Sequence, residues 1–336
     1  MKQVNVGIIG LGSWGMSHLD AYSSLPYVNV VAVCDSRVER LNLAAAQYQI
    51  PNSYLNYEQL LSHDEIDLIS IVTYEKQHLE PARLALCSGK HVLVEKPITT
   101  RLDEAYFMQQ VALENNRLLL PGHLLRFDPR YAEIYRAIQT RQIGKPISLY
   151  LKRSRSKALF QTYQRTHTVY ELTIHDLDLA IWYTNSRVRT VKAYSKQISG
   201  ANSPEVLWVC LEFESGVIAF LHSNWMTPEE ARIAVADSVE IVGERGMAHF
   251  DTSSCGLQIW NETGRNSPDT NIHFQMLGQS IGSLREQLMY ICRCIATDQE
   301  PDYISFKDAV HGIEVADAVV KSCETGQVIH LEHDLK

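Results

Sequence analysis

The chain has 336 residues, 45% hydrophobic and 21% charged, the make-up of a globular protein long enough for two cores. A formal net charge of −8 argues against nucleic acid or an anionic membrane surface as the main partner, since either needs a basic face. The seven cysteines (Cys34, Cys87, Cys210, Cys255, Cys292, Cys294 and Cys323) are scattered with no Cys-x-x-Cys pair, so they read as buried thiols of a reducing compartment rather than disulfides or a zinc site.

Residues 1–9 run straight into a strand without a signal-peptide pattern, and no apolar run is long enough to span a bilayer. A cytoplasmic protein is expected. Asn261-Glu262-Thr263 then matches a glycosylation sequon by chance.

The strongest local signal lies in residues 4–35: an apolar strand, then Gly10-Leu11-Gly12-Ser13-Trp14-Gly15, a helical run, a second strand over Val28–Cys34, and Asp35. This order is a mononucleotide-binding βαβ unit. Gly10 permits the tight turn, Gly12 lets the backbone approach a pyrophosphate, and Gly15 lets the helix pack closely. The unpartnered N–H groups of the first helical turn, around Ser13 and Trp14, face the phosphates. Asp35 follows the last glycine by about 20 residues, where a carboxylate meets the adenosine ribose hydroxyls. Its charge favours NAD, although Ser36 and Arg37 beside it leave NADP open.

Helices are expected over Ser13–Leu25, Arg37–Tyr48, Tyr57–Ser62, Gln77–Cys87 and Leu102–Glu114, and further strands over Leu68–Val72, His91–Val94 and Leu118–Leu120. Continuous apolar strands alternating with helices indicate a parallel sheet covered on both faces. Ligands of such sheets lie beyond the carboxyl ends of the strands. Those ends carry Thr73-Tyr74, Glu95-Lys96-Pro97 and Pro121-Gly122-His123. A cis Lys96–Pro97 bond would aim the lysine back over the crevice, but cis is the minority state of such bonds, and sequence does not select it.

After residue 128 the pattern changes. Pro129–Gln142 reads as a linking helix. Ile147–Lys152, Val188–Lys196, Val206–Glu214, Val217–Trp225, Ser238–Val242 and Met247–Phe250 read as strands of an antiparallel sheet. Its apolar outer face is expected to be buried in a homodimer or homotetramer. Ser154–Thr168, with Arg155, Lys157, Tyr163 and Arg165, reads as a loop over the site, and Asn261–Gln279 as a long surface loop. Glu171–Tyr183 fits a helix with Glu171, His175, Asp178 and Leu179 on one face. Leu284–Ala296 and Phe306–Cys323 are amphipathic, and Val328–Leu331 reads as a closing strand. The histidines show no metal-ligand spacing, so no metal is expected.

Taken jointly, the glycine turn, the stretch from His78 through Ala82 and Ala85 to Gly89-Lys90-His91-Val92, Glu95-Lys96-Pro97, Arg126-Phe127-Asp128-Pro129 and Ile174-His175-Asp176-Leu177-Asp178 resemble the glucose–fructose oxidoreductase/inositol dehydrogenase (Gfo/Idh/MocA) family over nearly the full length. The resemblance implies an N-terminal Rossmann domain, 1–122, followed by an α+β domain with a large, mostly antiparallel sheet, 123–336. It implies an NAD- or NADP-linked oxidoreductase acting on a secondary alcohol of a sugar, sugar acid or cyclitol.

Lys96 falls on the family's catalytic lysine and His175 on its catalytic histidine. Glu171 stands where aspartate is usual, and Thr73-Tyr74-Glu75 where Thr-Pro-Asn is common. The expected cofactor contacts are Gly10, Gly12, Ser13, Trp14, Gly15, Asp35, Ser36, Arg37, Thr73, Tyr74, His78, Glu95 and Lys96. The expected substrate contacts are His123, Arg126, Tyr163, Glu171 and His175, with Arg126 suited to a carboxylate or to a salt bridge with Asp128. His175 is the candidate base and Lys96 the stabiliser of alkoxide charge. Two other classes fit the same fold: an NAD-dependent glycosidase with transient oxidation, and a dinucleotide-binding regulator without turnover.

Overall fold

The computed structural model describes residues 2–233, 235–252, 257–262, 264–266 and 269–332. Cys255 and Thr263 of the sequon lie outside the described residues. The chain forms two compact units, Met1–Asp128 with Thr270–Val310, and Pro129–Asp269 with His311–Lys336.

The first unit is built on a parallel sheet: β1 (Val4–Ile9), β2 (Val28–Cys34), β3 (Asn52–Tyr54), β4 (Leu68–Ile71), β5 (His91–Glu95) and β6 (Leu119–Gly122), in the order β3-β2-β1-β4-β5-β6. Val6, Ile8, Val33, Leu68, Ile69, Ile71, Val92, Leu93 and Val94 are fully buried or nearly so. Burial on both faces is what their unbroken apolar runs require. Each such side chain contributes about 1.5–3 kcal/mol.

The helices are α1 (Ser13–Ser23), α2 (Val38–Tyr48), α3 (Tyr57–Leu61), α4 (Leu79–Cys87) and α5 (Leu102–Glu114). Strand β3 is an addition to the expected set. Its three residues, Asn-Ser-Tyr, carry no apolar run, and pairing with β2 at Ala32–Cys34 defines it. The helix expected from Gln77 begins at Leu79, after a separate 3-10 turn at Glu75–Gln77.

The chain returns to this unit late. Helix α9 (Ser283–Thr297) presents Leu284, Leu288, Ile291 and Cys292 on one face, and these join Leu19, Tyr22 and Leu25 around α1 in one core. A single division at residue 122 does not anticipate this return, because long-range packing decides it. Within Asn261–Gln279, read as loop, short strands form: β13 (Ile259–Asn261) with β14 (Gly264–Asn266), and β15 (Phe274–Met276), which pairs with β16 (Gln279–Ile281).

The second unit is a seven-stranded sheet of β7 (Pro146–Ser156), β8 (Val188–Lys196), β9 (Val206–Phe213), β10 (Ile218–Thr227), β11 (Val235–Gly243), β12 (Gly246–Asp251) and β17 (Ile329–His330). Its order is β12-β11-β7-β10-β9-β8-β17, and every neighbouring pair is antiparallel except β7 with β10. The helices are α6 (Pro129–Gln139), α7 (Lys157–Tyr163), α8 (Ile174–Thr184) and, from His311 onward, α10 (Phe306–Thr325). Alternation along the strands buries Leu149, Leu151, Leu207, Val209, Leu211, Ala219, Leu221, Val239 and Ile241 on one face. The other face carries Tyr194, Trp208, Ile218, Phe220 and Met247, each more than 40% exposed.

Two expectations need correction. Strand β7 runs four residues past Lys152, and Lys157–Tyr163 is a helix, not a loop. The Ser156 hydroxyl caps it by accepting the Leu159 N–H, at 3.4 Å. The helix expected from Glu171 starts at Ile174, after a π-turn over Val169–Thr173. The wider turn breaks the 3.6-residue repeat between Glu171 and His175.

Beyond Lys152, β7 stays paired with β10 and β11, and Arg153 is buried among carboxylates. Its Nε donates to Asp176 at 2.9 Å and its Nη1 to Asp237 at 3.0 Å, and Arg155 Nη1 donates to Asp237 at 2.6 Å. Removing one member leaves uncompensated charge in a dry site. Arg153→Met is therefore expected to lower the unfolding free energy by about 3–5 kcal/mol in urea titration. A loss below about 1 kcal/mol would show that the carboxylates repair themselves.

Candidate active site

The nucleotide end is shaped by missing side chains. Gly10 has φ +98° and its N–H donates to the Cys34 carbonyl at 2.8 Å. A Cβ there would stand 2.6 Å from the Val72 carbonyl oxygen. A Cβ on Gly15 would lie 1.9 Å from the Gly10 oxygen, so the close approach is of helix to turn. A Cβ on Gly12 meets nothing within 4 Å. Gly12 thus opens on free space at the N-terminus of α1, next to the outward N–H groups of Ser13 and Trp14. That space fits a dinucleotide bridge.

Asp35 is buried at the end of β2, where it accepts the Leu11 N–H at 2.7 Å, the Arg37 N–H at 2.9 Å and Arg40 Nη1 at 3.2 Å. Arg40 was not foreseen; its signal was a cation five residues beyond the acid, on the first turn of α2. Ser36 and the Arg37 side chain are exposed beside it.

At the next strand ends, Tyr74 is exposed and Thr73 half-buried. His78 is buried: its Nδ1 faces the Pro97 and Ile98 carbonyls at 3.1 and 3.2 Å, and its Nε2 the Thr73 carbonyl at 3.1 Å. Burial holds its pKa below the usual imidazole value. His78 thereby fastens the corner in which Lys96–Pro97 is cis.

Glu95 is also buried, with Oε1 3.0 Å from His18 Nε2 and Oε2 accepting the Lys96 N–H at 3.0 Å. Burial works against its charge. Bonding to His18, its positive field, the Trp14 indole N–H and Lys96 together outweigh burial, and the carboxyl stays below its ordinary pKa. His123 is buried just after β6, and Arg126 is buried and donates to Asp308 at 3.1 Å and to the Tyr303 carbonyl at 3.2 Å. All these residues belong to the first unit.

The second unit holds Tyr163, Glu171 and His175. Glu171, in the π-turn, lies 3.5 Å from Arg165 Nη2, and Arg165 stands over the Tyr163 ring at 5.6 Å. Tyr163 stacks on Trp225 at 5.9 Å. From Val169 to Tyr183 every residue is buried except His175, which is half-buried at the start of α8. Next to it Asp176 accepts from Arg153 through Oδ1, and its Oδ2 finds no hydrogen-bond partner among the described residues. Burial pushes the Asp176 carboxyl up to about 6. Asp237, equally buried, shares two guanidinium groups and is held below its ordinary value.

Residues 4–123 match the profile described as "Oxidoreductase family, NAD-binding Rossmann fold", and residues 131–249 match the "GFO/IDH/MocA C-terminal domain". The chain belongs to the Gfo/Idh/MocA oxidoreductase family. Its nucleotide is NAD, held by the Rossmann unit. The chain is 25% identical to the scyllo-inositol 2-dehydrogenase (NAD(+)) of Bacillus subtilis, over 98% of this chain and 97% of that one. It is 26% identical to the inositol 2-dehydrogenase of Salmonella typhimurium, over 74% of each chain. A solved scyllo-inositol dehydrogenase from Lactobacillus casei, with bound NAD(H) and scyllo-inositol, shares the fold at TM-score 0.84 and 20% identity, over 98% of this chain and 99% of that one. Among the described residues no group of three or more His, Cys, Asp or Glu is placed to hold a metal ion, and no helix is long and apolar enough to cross a membrane.

The two helix-side glycines differ in a way that can be measured. Gly12→Val puts its side chain into open space, so the melting temperature should hold within about 2 °C while NAD affinity falls at least tenfold. Gly15→Ala forces apart α1 and its turn and should lower the melting temperature of the unligated protein by several degrees. Equal NAD affinity in Gly12→Val and wild type would remove Gly12 from the pyrophosphate cradle.

Proposed function

We propose that this oxidoreductase oxidises a ring secondary alcohol of a cyclitol, with sugars and sugar acids as the wider class. The position of Lys96 carries the reading. Lys96 directly follows β5, at the carboxyl edge where the β1 glycine turn opens, with only β4 between those strands. That edge is where ligands of parallel sheets bind. The named cyclitol dehydrogenases among the relatives support the substrate class.

When bound, NAD supplies the hydride acceptor. The remaining chemistry belongs to side chains. Lys96 donates a hydrogen bond to the hydroxyl oxygen and stabilises negative charge as it grows there. His175 takes the hydroxyl proton, a task suited to imidazole near neutral pH. Its half-exposed place in a buried helix gives that ring access to a ligand. Glu171, paired with Arg165, accepts a hydrogen bond from a neighbouring hydroxyl, and Tyr163 offers an aromatic wall to the ring. The Asp35 carboxylate receives the ribose hydroxyls and favours NAD over NADP.

NAD-linked absorbance should rise with at least one inositol isomer in a screen that also holds free sugars, sugar acids and nucleotide sugars. Lys96→Ala and His175→Gln should each lower kcat by about 10²–10⁴ with NAD affinity retained. Release of an aglycone with no net absorbance change would replace this reading by the glycosidase one. Full turnover in Lys96→Ala would remove the lysine from the mechanism.

The exposed aromatic face of the second unit's sheet supports a homo-oligomer formed through that face. Tyr194 pairs in register with Trp208, and Phe220 with Tyr150, so aromatic side chains from four strands share this face with Lys192, Lys152 and Glu240. Sedimentation should find a dimer or tetramer, and Phe220→Glu should shift it towards monomer. A wild-type monomer at micromolar concentration would exclude this assembly.

A further inference from the structure

Helix α1 sends one polar side chain into the core beneath the catalytic edge. His18 is fully buried. Its Nδ1 lies 3.1 Å from the Ser70 hydroxyl on β4, and its Nε2 3.0 Å from Glu95 on β5. Trp14 and Tyr22, one turn before and one turn after, meet the imidazole edge-on with centroids 5.9 and 6.2 Å away. Glu95 fits only because Gly122 of β6 has no side chain: a Cβ there would come within 2.7 Å of Oε1.

An ionised carboxylate only accepts, so the groups facing Glu95 all donate: His18 Nε2–H, the Trp14 indole N–H and the Lys96 backbone N–H. On its other side the ring meets the Ser70 hydroxyl through Nδ1. The helix that begins at the glycine turn is thereby joined, through one imidazole and one carboxylate, to the backbone of Lys96.

We propose that His18 is a positioning residue: through Glu95 it ties the cofactor-receiving helix to Lys96 and keeps the lysine oriented for the reaction. This rests on the reading of Lys96 as the charge-stabilising group. Without the His18 donor, Glu95 is a buried anion short of a partner. It then either takes a proton or turns towards the lysine, and both disturb Lys96 without touching the substrate.

Two substitutions separate this role from simple packing. His18→Asn places an amide where Nδ1 was, keeping the Ser70 contact and losing Glu95. His18→Gln reaches the Nε2 position and keeps the donor to Glu95. His18→Asn should lower kcat about 10–100-fold, with polyol KM and NAD Kd within about threefold, and His18→Gln should restore kcat to within about threefold of wild type.

Lys96→Ala tested alone judges the reading of the lysine. Adding His18→Asn to it judges this proposal. No further loss in the double variant supports the link, and an additive loss overturns it. Equal loss of kcat and melting temperature in His18→Asn and His18→Gln would also overturn it, making His18 a packing residue.

Discussion

The nucleotide-binding unit depends on a contact that only two glycines allow. Gly15 of α1 lies against the Gly10 carbonyl so closely that a single added carbon would overlap it. This approach lets the helix begin at the turn itself, with its first N–H groups over the open side of Gly12. It also fixes the rotation of α1. Trp14, His18 and Tyr22 then share the face that looks into the sheet, and Leu19 and Leu25 take part in the core below. One steric constraint thus places both the open N-terminus of α1 and the polar network behind Lys96.

Local signals made much of this legible from sequence. The glycine spacing, the acid closing β2 and the apolar strands fixed the parallel sheet, and Leu102–Glu114 appears with those bounds because its periodicity and flanks agree. What escaped depends on partners far along the chain. Strand β3 is three polar residues that become a strand only beside β2. Helix α9 shows its amphipathic face in sequence, but not which core will receive it. The stripe Trp14-His18-Tyr22, at intervals of four on a buried helix, was a readable sign that His18 faces a polar partner; its partner, Glu95, stands 77 positions away.

The second unit shows the same division between pattern and partner. Alternation identified its strands, because one face is buried and the other is not. Alternation does not reveal that Arg153 lies on the buried side, since an arginine there breaks the pattern unless carboxylates meet it. Asp176 and Asp237 do meet it, from α8 and β11. The helix that bears His175 is therefore anchored to the sheet by charge one residue from the imidazole. The π-turn before it gives Glu171 a setting of its own beside Arg165.

The late return of the chain has a consequence for how this protein can be taken apart. Leu284, Leu288, Ile291 and Cys292 complete the core around Leu19, Tyr22 and Leu25. A fragment ending at Asp128 would carry the whole parallel sheet and the glycine turn, yet would leave an oily flank on α1 bare to water. The nucleotide-binding half is not a detachable cassette, and recombining it with foreign partners requires a matching helix from the distal third of the polypeptide.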